Sequence, residues 1–196
     1  MGIRIEKLTP GLAEDYVRFF DETPHNHGEE NKCYCITWRS DDSYSEDGNH
    51  WYATREERRN HAVEYVKNGG LQGYLAYQGD RIVGWCNVNA NCQGCLEYLG
   101  CYWPVEPRDG LKIQSVFCFL IAPDVQRTGV AEKLLRRVCR DAEAEGFDFV
   151  ESYVYLNPET GAQDCRGPVS LYEKCGFVIH AQREGCAVVR KKLTAK

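Results

Sequence analysis

Lys112-Ile-Gln-Ser-Val-Phe-Cys-Phe-Leu-Ile-Ala122, followed by Pro123 and then by Gln126-Arg-Thr-Gly-Val-Ala131, is the segment with the clearest pattern of a strand and a helix start in the chain. Its first part ends in a nearly continuous apolar run, which predicts a central strand covered on both faces, and Pro123 ends that strand. After the second part, apolar residues recur at helical spacing: Val130, Leu134, Leu135, Val138 and Ala142. This pattern predicts an amphipathic helix that ends at Gly146.

The turn between this strand and this helix has the features of an anion site. Backbone N–H groups at a helix start are unpaired donors, and the helix dipole adds positive potential. Gly129 and Ala131 leave room for a diphosphate near the backbone, and Arg127 adds positive charge. A Walker A loop is disfavoured because no Gly-Lys-Ser/Thr follows, and a dinucleotide fingerprint needs three spaced glycines. Gln-x-x-Gly-x-Ala is a short gapped pattern, so an ordinary helix start stays the alternative.

The rest of the chain predicts a mixed α/β architecture. Strands are predicted over 2–8, 71–77, 81–88, 147–156, 177–181 and 187–192, and further helices over 10–21, 54–66 and 169–174. We expect irregular insertions at about 22–53 and 89–110, the first containing one strand-like stretch, Cys33–Trp38. The order is therefore β-α-α-β-β-β-α-β-α-β-β. The length of 196 residues suits one domain over 1–196.

A second motif, Leu171-Tyr-Glu-Lys-Cys-Gly-Phe177, places Tyr172 43 residues beyond Gly129. Together the two motifs resemble those of the GNAT superfamily of acetyl-CoA-dependent N-acetyltransferases. The resemblance covers residues 71–192 well and the opening strand and helices more loosely. It implies the GNAT fold, a central mixed and mostly antiparallel sheet flanked by helices, whose fourth and fifth strands splay apart around acetyl-CoA. It also implies an acyltransferase, in which a primary amine of a small molecule or protein attacks the thioester directly in a ternary complex.

The resemblance also assigns site residues by position. The cosubstrate acetyl-CoA, with no metal, would lie against these residues: Phe119, Leu120 and Ile121 for the pantetheine, and Gln126, Arg127, Thr128, Gly129, Val130 and Ala131 for the pyrophosphate. Tyr172 matches a tyrosine that often faces the cofactor sulfur, where its phenol would protonate the departing thiolate. The alternative is a tyrosine that packs its helix on the sheet. Asn157 matches a cofactor-binding position, but it stands 15 residues before Tyr172 because an insertion, Pro158–Gly167, intervenes.

A general base is missing from the predicted central strand. The strand carries Gln114 and Ser115 but no carboxylate. The candidates are Glu97, Glu106 and Asp109 in the preceding segment, a water chain, or an amine that arrives already neutral. Each of these carboxylates can equally be a solvated loop residue.

Several cysteines and histidines are candidate ligands for a zinc ion. The candidate ligands are His25, His27, Cys33, Cys35, Cys92, Cys95 and Cys101. A second Cys-x-x-Cys half-site is missing, and Cys-x-Cys on a strand points its side chains to opposite faces, so no metal site is expected. The aromatic segments Cys33–Trp38 and 92–104 either line the acceptor pocket or cap exposed core. The odd count of eleven cysteines predicts mostly reduced thiols.

Net charge and hydropathy limit the classes of partner that we expect for this chain. The formal charge of −5 argues against a general binder of nucleic acid or anionic membranes, and the apolar run Val116–Ala122 is too short to span a bilayer. The start of the chain lacks a signal-peptide core, so we expect a cytoplasmic protein. The acidic tract Ser40–Asp47 is a solvated loop or a region that steers a cationic amine. Whether the chain forms a homodimer stays open, and the alternative to an enzyme is a non-catalytic acyl-CoA-binding or interaction module.

Overall fold

The computed structural model describes residues 2–24, 28–40, 53–157 and 163–194, without the side chains of residues 163 and 164. The strands are β1 (Ile3–Lys7), β2 (Gly73–Gln78), β3 (Arg81–Asn89), β4 (Ile113–Ile121), β5 (Phe149–Tyr155), β6 (Val178–Arg183) and β7 (Cys186–Lys192). The α-helices are α1 (Ala13–Glu22), α2 (Arg55–Lys67), α3 (Gln93–Gly100), α4 (Val130–Ala144) and α5 (Val169–Lys174). Short 3₁₀ turns lie at Pro10–Leu12, Glu29–Asn31, Pro123–Val125 and Gln163–Arg166.

The seven strands form one sheet in the order β1-β2-β3-β4-β5-β7-β6. Only the β4–β5 pair is parallel, and the other neighbours are antiparallel. One face of the sheet packs against α1, α2 and α3, and the other face packs against α4 and α5. The predicted mixed, mostly antiparallel sheet flanked by helices is confirmed.

In α4, which follows β4, the buried residues are those that the helical spacing in the sequence predicts. Leu134, Leu135, Val138 and Ala142 are all buried on the sheet side of α4, as their recurrence predicts. The start of α2 is fixed by a capping box that the sequence also predicts. The Glu57 backbone N–H donates to Thr54 Oγ1 at 3.1 Å, and the Thr54 N–H donates to Glu57 Oε2 at 2.9 Å.

Two segments differ from the prediction. The stretch 89–110, predicted to be irregular, contains α3, whose Cys95, Leu96 and Leu99 are buried; the observed order gains this one helix. The strand predicted at Cys33–Trp38 is wrong, because these residues form consecutive turns in which Tyr34 and Cys35 have φ angles of +45° and +55°. The segment packs onto α1 instead of pairing with a strand. The acidic tract lies almost entirely outside the described residues, as do His25 and His27.

β4 contains one residue more than its neighbour β3 requires. Asn87 pairs with Cys118 while the next residue of β3, Val88, pairs with Val116, so Phe117 is the extra residue of a β-bulge. As a result, Phe117 and Cys118 both pack on the α1 side of the sheet. The parallel pairing with β5 ends at Val116, directly before the bulge.

Beyond the bulge the sheet opens. Residues 118–121 of β4 pair with β3 alone, and residues 153–155 of β5 pair with β7 alone. We call the gap between these two strand ends the split. It is the splay between the fourth and fifth strands that the family resemblance implies.

A buried ionic cluster lies in the paired part of β4 and β5, next to the last residue pair before the split. Glu151 on β5 is 1% exposed and accepts from Arg108 at 2.7 Å and from Arg190 Nε at 2.7 Å. Arg108 also donates to Ser115 Oγ at 2.7 Å. Burial acts to raise the pKa of Glu151, but the two arginine charges outweigh it and hold the pKa below its usual range.

Candidate functional site

The turn that follows β4 is exposed to solvent. Gln126, Arg127 and Thr128 are exposed, and Arg127 adopts a left-handed conformation with φ of +62°. The Thr128 hydroxyl donates to Val125 O at 2.7 Å, and the Gln126 side-chain amide donates to Ile121 O at 3.2 Å. The Gln126 bond ties the turn to the end of β4, and the Thr128 bond ties it to the preceding 3₁₀ turn.

The start of α4 completes the set of donors. Gly129 is the N-cap residue, with φ of +87°, and the first intrahelical bond runs from Lys133 N–H to Gly129 O at 3.0 Å. The N–H groups of residues 130–132 precede it and have no intrahelical acceptor. A Cβ atom on Gly129 would meet no atom within 4 Å, so the space above the turn is open. The residues therefore fit a diphosphate held by backbone N–H groups.

The helix start is also seated close to the sheet. A Cβ atom at Gly84 of β3 would lie 3.0 Å from Val130 Cγ1 and 3.1 Å from Ile121 Cδ1. Because Gly84 has no side chain, α4 begins directly beside the end of β4. Of the three residues predicted to pair with pantetheine, Phe119 is buried, whereas Leu120 and Ile121 are half-buried. All three lie on the part of β4 that borders the split.

Tyr172 on α5 reaches the split from the other side of the sheet. Its ring is fully buried against Phe119 and Phe177, with centroids 6.5 and 5.3 Å away. Its hydroxyl donates to Arg166 O at 2.7 Å and lies 2.8 Å from Ser152 Oγ. Burial raises the pKa of the Tyr172 phenol, so the group is protonated at neutral pH.

The hydroxyl of Ser152 links Tyr172 to β4. Ser152 Oγ donates to Val116 O at 2.9 Å, so the Tyr172 and Ser152 hydroxyls provide two protons for three contacts. When Ser152 donates to Tyr172, the Tyr172 proton goes to Arg166 O. The Arg166 carbonyl therefore accepts the hydrogen bond that the Tyr172 phenol could otherwise donate to a bound molecule. Nothing in the sequence points to Ser152, because a serine on an alternating strand is ordinary.

Arg166 lies in the insertion before α5. The sequence analysis assigned no role to this insertion. Its Cζ atom lies 4.8 Å from the Trp38 ring centroid and 4.4 Å from that of Trp103. Trp103 also donates its Nε1–H to Val154 O at 3.1 Å, on the edge of β5 that faces the split. The two aromatic segments that the sequence offered as pocket walls thus meet at this point.

The remaining candidate residues lie elsewhere. Asn157 is exposed, two residues after β5 ends. The three proposed carboxylate bases, Glu97, Glu106 and Asp109, are all exposed. Glu106 is paired with His180 at 2.7 Å. The buried carboxylate that the sequence analysis missed, Glu151, has both oxygens bound by arginines and is therefore poorly suited to accept a proton.

Several thiols lie around the split. The eleven cysteines all lie in the described residues and none forms a disulfide, and Cys118 on β4 lies beside Cys35 and Cys165. Within the part of the chain that is described, no group of His, Cys, Asp and Glu residues has an arrangement that could hold a metal ion. No helix in those same residues is long and apolar enough to cross a membrane.

Comparison with solved structures identifies the same fold in several proteins. A GNAT-family acetyltransferase from Streptococcus pneumoniae superposes with a TM-score of 0.55 at 20% identity, covering 98% of this chain and 100% of that one. The PaiA N-acetyltransferase of Thermoplasma acidophilum, solved with coenzyme A, gives 0.53 at 15% identity, covering 98% and 99%. The yncA protein of Salmonella typhimurium, solved with its cofactor acetyl-CoA, gives 0.55 at 12% identity, covering 100% and 96%.

Comparison of the sequence with models of protein families identifies the family to which the chain belongs. No curated protein matches the chain. The profile of the acetyltransferase (GNAT) domain matches residues 69–179, which include the split, the turn after β4 and Tyr172. The chain therefore belongs to the GNAT family of acetyltransferases, acyltransferases whose acetyl donor is acetyl-CoA.

Proposed function

We propose that the chain transfers the acetyl group of acetyl-CoA to a primary amine, bound at the split on the α1 side of the sheet. The observation that carries the proposal is the alignment of three features: the donor turn at 126–131, the unpaired edge of β4 at 119–121, and the Tyr172 hydroxyl at the split. Acetyl-CoA supplies the acetyl thioester. The chain supplies the binding groups, the orientation and a proton.

The turn would hold the diphosphate end of the donor. The backbone N–H groups of residues 130–132 have no intrahelical acceptor, and Arg127 is exposed near them. Because the fold already fixes the positions of these donors, little free energy is needed to reorganise them when an anion binds. The main chain of Phe119, Leu120 and Ile121 would pair with the pantetheine, which extends from that end into the split. Asn157, just past β5, is a further candidate contact.

Tyr172 would act as the general acid. In the transfer, the C–N bond forms while the C–S bond breaks, the amine releases one proton, and the thiolate takes up one. The buried phenol keeps its proton at neutral pH and presents it at the split. No covalent enzyme intermediate is required in this scheme. No described carboxylate is free at the split to act as a base, which favours a water molecule or an amine that binds already neutral.

The substitution Tyr172→Phe tests the acid. Loss of the hydroxyl should lower kcat by roughly 10- to 100-fold, the low end for general acids because a thiolate already leaves well. The affinity for acetyl-CoA should hardly change, since the proton is needed mainly in the transition state. Ser152→Ala is the matched control, because it removes the hydroxyl partner but leaves the phenol. A folded Tyr172→Phe protein with wild-type kcat, when chemistry limits the rate, would assign Tyr172 to packing alone.

The donor turn is tested by a pair of substitutions at one position. Gly129→Glu places a carboxylate beside the diphosphate and should abolish acetyl-CoA binding in calorimetry. Gly129→Ala is the control for backbone strain, since its Cβ atom meets nothing within 4 Å and only the φ of +87° is disfavoured. Equal affinity of Gly129→Glu and Gly129→Ala would rule out the turn as the diphosphate site.

A panel of primary amines with thiol detection tests the reaction itself. Release of free thiol with any amine supports the transferase, and mass spectrometry of the product should show one added acetyl group. Binding of acetyl-CoA without turnover of any amine would instead support the acyl-CoA-binding module that the sequence leaves as the alternative.

A further inference from the structure

The Arg166 guanidinium lies over two indole rings. The distances from its Cζ atom to the ring centroids are 4.8 Å for Trp38 and 4.4 Å for Trp103, and Arg166 is 6% exposed. Both distances are within the roughly 6 Å range of a cation–π contact. We call Trp38, Trp103 and the space that the guanidinium fills the indole box.

The two rings of the box are anchored on opposite sides of the split. Trp38 stacks on Phe117, the bulge residue of β4, with centroids 5.1 Å apart and an interplanar angle of 3°. Trp103 is held on β5 by its hydrogen bond to Val154 O at 3.1 Å. The box is therefore part of the split, on the face of the sheet where we place the acceptor.

The box also lies near solvent. Trp38 contacts Tyr98 and Trp103 contacts Tyr102, each with ring centroids 6.3 Å apart. Tyr98 is 44% exposed and Tyr102 is 57% exposed. These tyrosines form an aromatic rim, across which a small molecule can reach the box once Arg166 moves away.

The cation in the box has no anionic partner among the described side chains. Arg166 Nη1 is buried and has no hydrogen-bond acceptor in that part of the chain. Burying a cation without a carboxylate is costly, and a role in packing alone is served better by an apolar side chain. What the box offers is two ring faces, which attract cations. Its construction is that of a binding site for a cationic group.

We propose that the indole box binds the cationic end of the acceptor, that Arg166 occupies it as an internal stand-in, and that the acceptor is an aliphatic primary amine with a guanidinium group at its other end. A guanidinium is planar, weakly hydrated and stacks well on aromatic faces, and it is the group that the box already holds. The acceptor's chemistry rests on the proposed amine acetylation, whereas the ability of the box to bind an added guanidinium does not.

The reacting nitrogen has to be a second one. Contact with ring faces stabilises a charged nitrogen, whereas attack on a thioester needs a neutral one. A guanidinium stays protonated at any working pH, so it can anchor the molecule while the distant primary amine loses its proton. Entry of this group displaces the Arg166 side chain from the box.

Binding of methylguanidinium, measured by tryptophan fluorescence and calorimetry, tests the box without any turnover. The Arg166→Ala protein should bind it saturably and at least about tenfold more tightly than the wild type, because a tethered side chain competes at a high effective concentration. Adding Trp103→Leu or Trp38→Leu to Arg166→Ala should abolish the binding. Arg183→Ala, which removes an exposed arginine from β6, should behave as the wild type.

Circular dichroism establishes that each variant is folded, and the two tryptophan variants test the same box independently. A folded Arg166→Ala protein that does not bind methylguanidinium would overturn the proposal. Binding that survives both tryptophan substitutions would do the same.

A kinetic comparison in the wild-type enzyme separates the two proposals. With acetyl-CoA as donor, kcat/KM for 4-aminobutylguanidine should exceed that for pentylamine by at least about tenfold. Equal values would overturn the inference about the acceptor while leaving amine acetylation in place. If neither amine nor any other is acetylated, the proposed function fails, and methylguanidinium binding alone then decides whether the box is a cation site.

Discussion

Replacing Glu151 by glutamine should destabilise the protein strongly, because it leaves two arginines without their counterion. Glu151 is 1% exposed and its oxygens are bound by Arg108 and Arg190. Removal of one partner of a buried ion pair costs about 3–5 kcal/mol. A chain of this size loses about 2–4 °C in Tm per kcal/mol, so Tm should fall by about 6–20 °C.

Urea denaturation followed by circular dichroism measures this free energy of unfolding. The control is Glu145→Gln, which breaks the exposed ion pair between Glu145 and Lys7. The Lys7 side chain is 52% exposed and the Glu145 side chain is 47% exposed. Surface pairs contribute about 0–1 kcal/mol, so the control should hardly shift the midpoint. A loss below about 1 kcal/mol for Glu151→Gln would contradict this expectation, since it would mean that the two arginines find other partners or water.

The same substitution should change the acid sensitivity of the fold. The pKa of Glu151 is lowered in the folded state, so its contribution to stability is present above the unfolded-state pKa and is lost as pH falls through the folded-state pKa. In the wild type, stability should therefore decline below about pH 4.5, the region where an unfolded glutamate begins to take up protons. In Glu151→Gln this component of the decline should be missing. Parallel curves for the two proteins would contradict the assignment.

Three further predictions concern packing, thiols and capping. Gly73→Ala should destabilise the fold by at least about 1–3 kcal/mol, since its Cβ atom would lie 2.2 Å from the Cys86 carbonyl oxygen, which cannot move without distorting β3; a melting curve equal to that of the wild type would contradict this. Native alkylation at pH 8 should modify Cys101 and Cys165 first, because these are the exposed cysteines, and peptide mass spectrometry would reveal any buried thiol that reacts as fast. Thr54→Ala should cost about 1 kcal/mol, measured by urea denaturation, with no loss expected if the capping box is dispensable.

The strand, turn and helix at 112–145 could be predicted from the sequence because local and tertiary preferences agree there. The apolar run in β4 is buried on both faces, and the left-handed Gly129 stands at the helix start, where glycine is favoured. The position of Tyr172 followed from family resemblance, and its contacts with Ser152 and the Arg166 carbonyl did not. Those contacts depend on where an insertion returns to the sheet, and sequence pattern contains no information about that return.

The two errors have separate causes. Cys33–Trp38 has the composition of a strand, but its apolar residues are buried by capping α1, where the Tyr16 hydroxyl donates to Tyr34 O at 2.7 Å. A buried turn and a buried strand use the same residue types, so composition alone cannot separate them. The helix α3 was missed because it has only eight residues, two of them glycine, and its stability comes from contacts with the core rather than from propensity.

The opening of the sheet depends on how many residues β4 contains, and not on which residues they are. Deleting Phe117 would bring 118–121 into continuous register with β3. Because Val116 and Cys118 already lie on opposite faces, Phe119 and Leu120 would keep their helical layers, and only the bulge would be lost. Systematic substitution leaves this residue count unchanged at every position, so a mutational scan would record Phe117 only as a buried aromatic. Single-residue deletions and insertions along β4 are the changes that address the property from which the cleft arises.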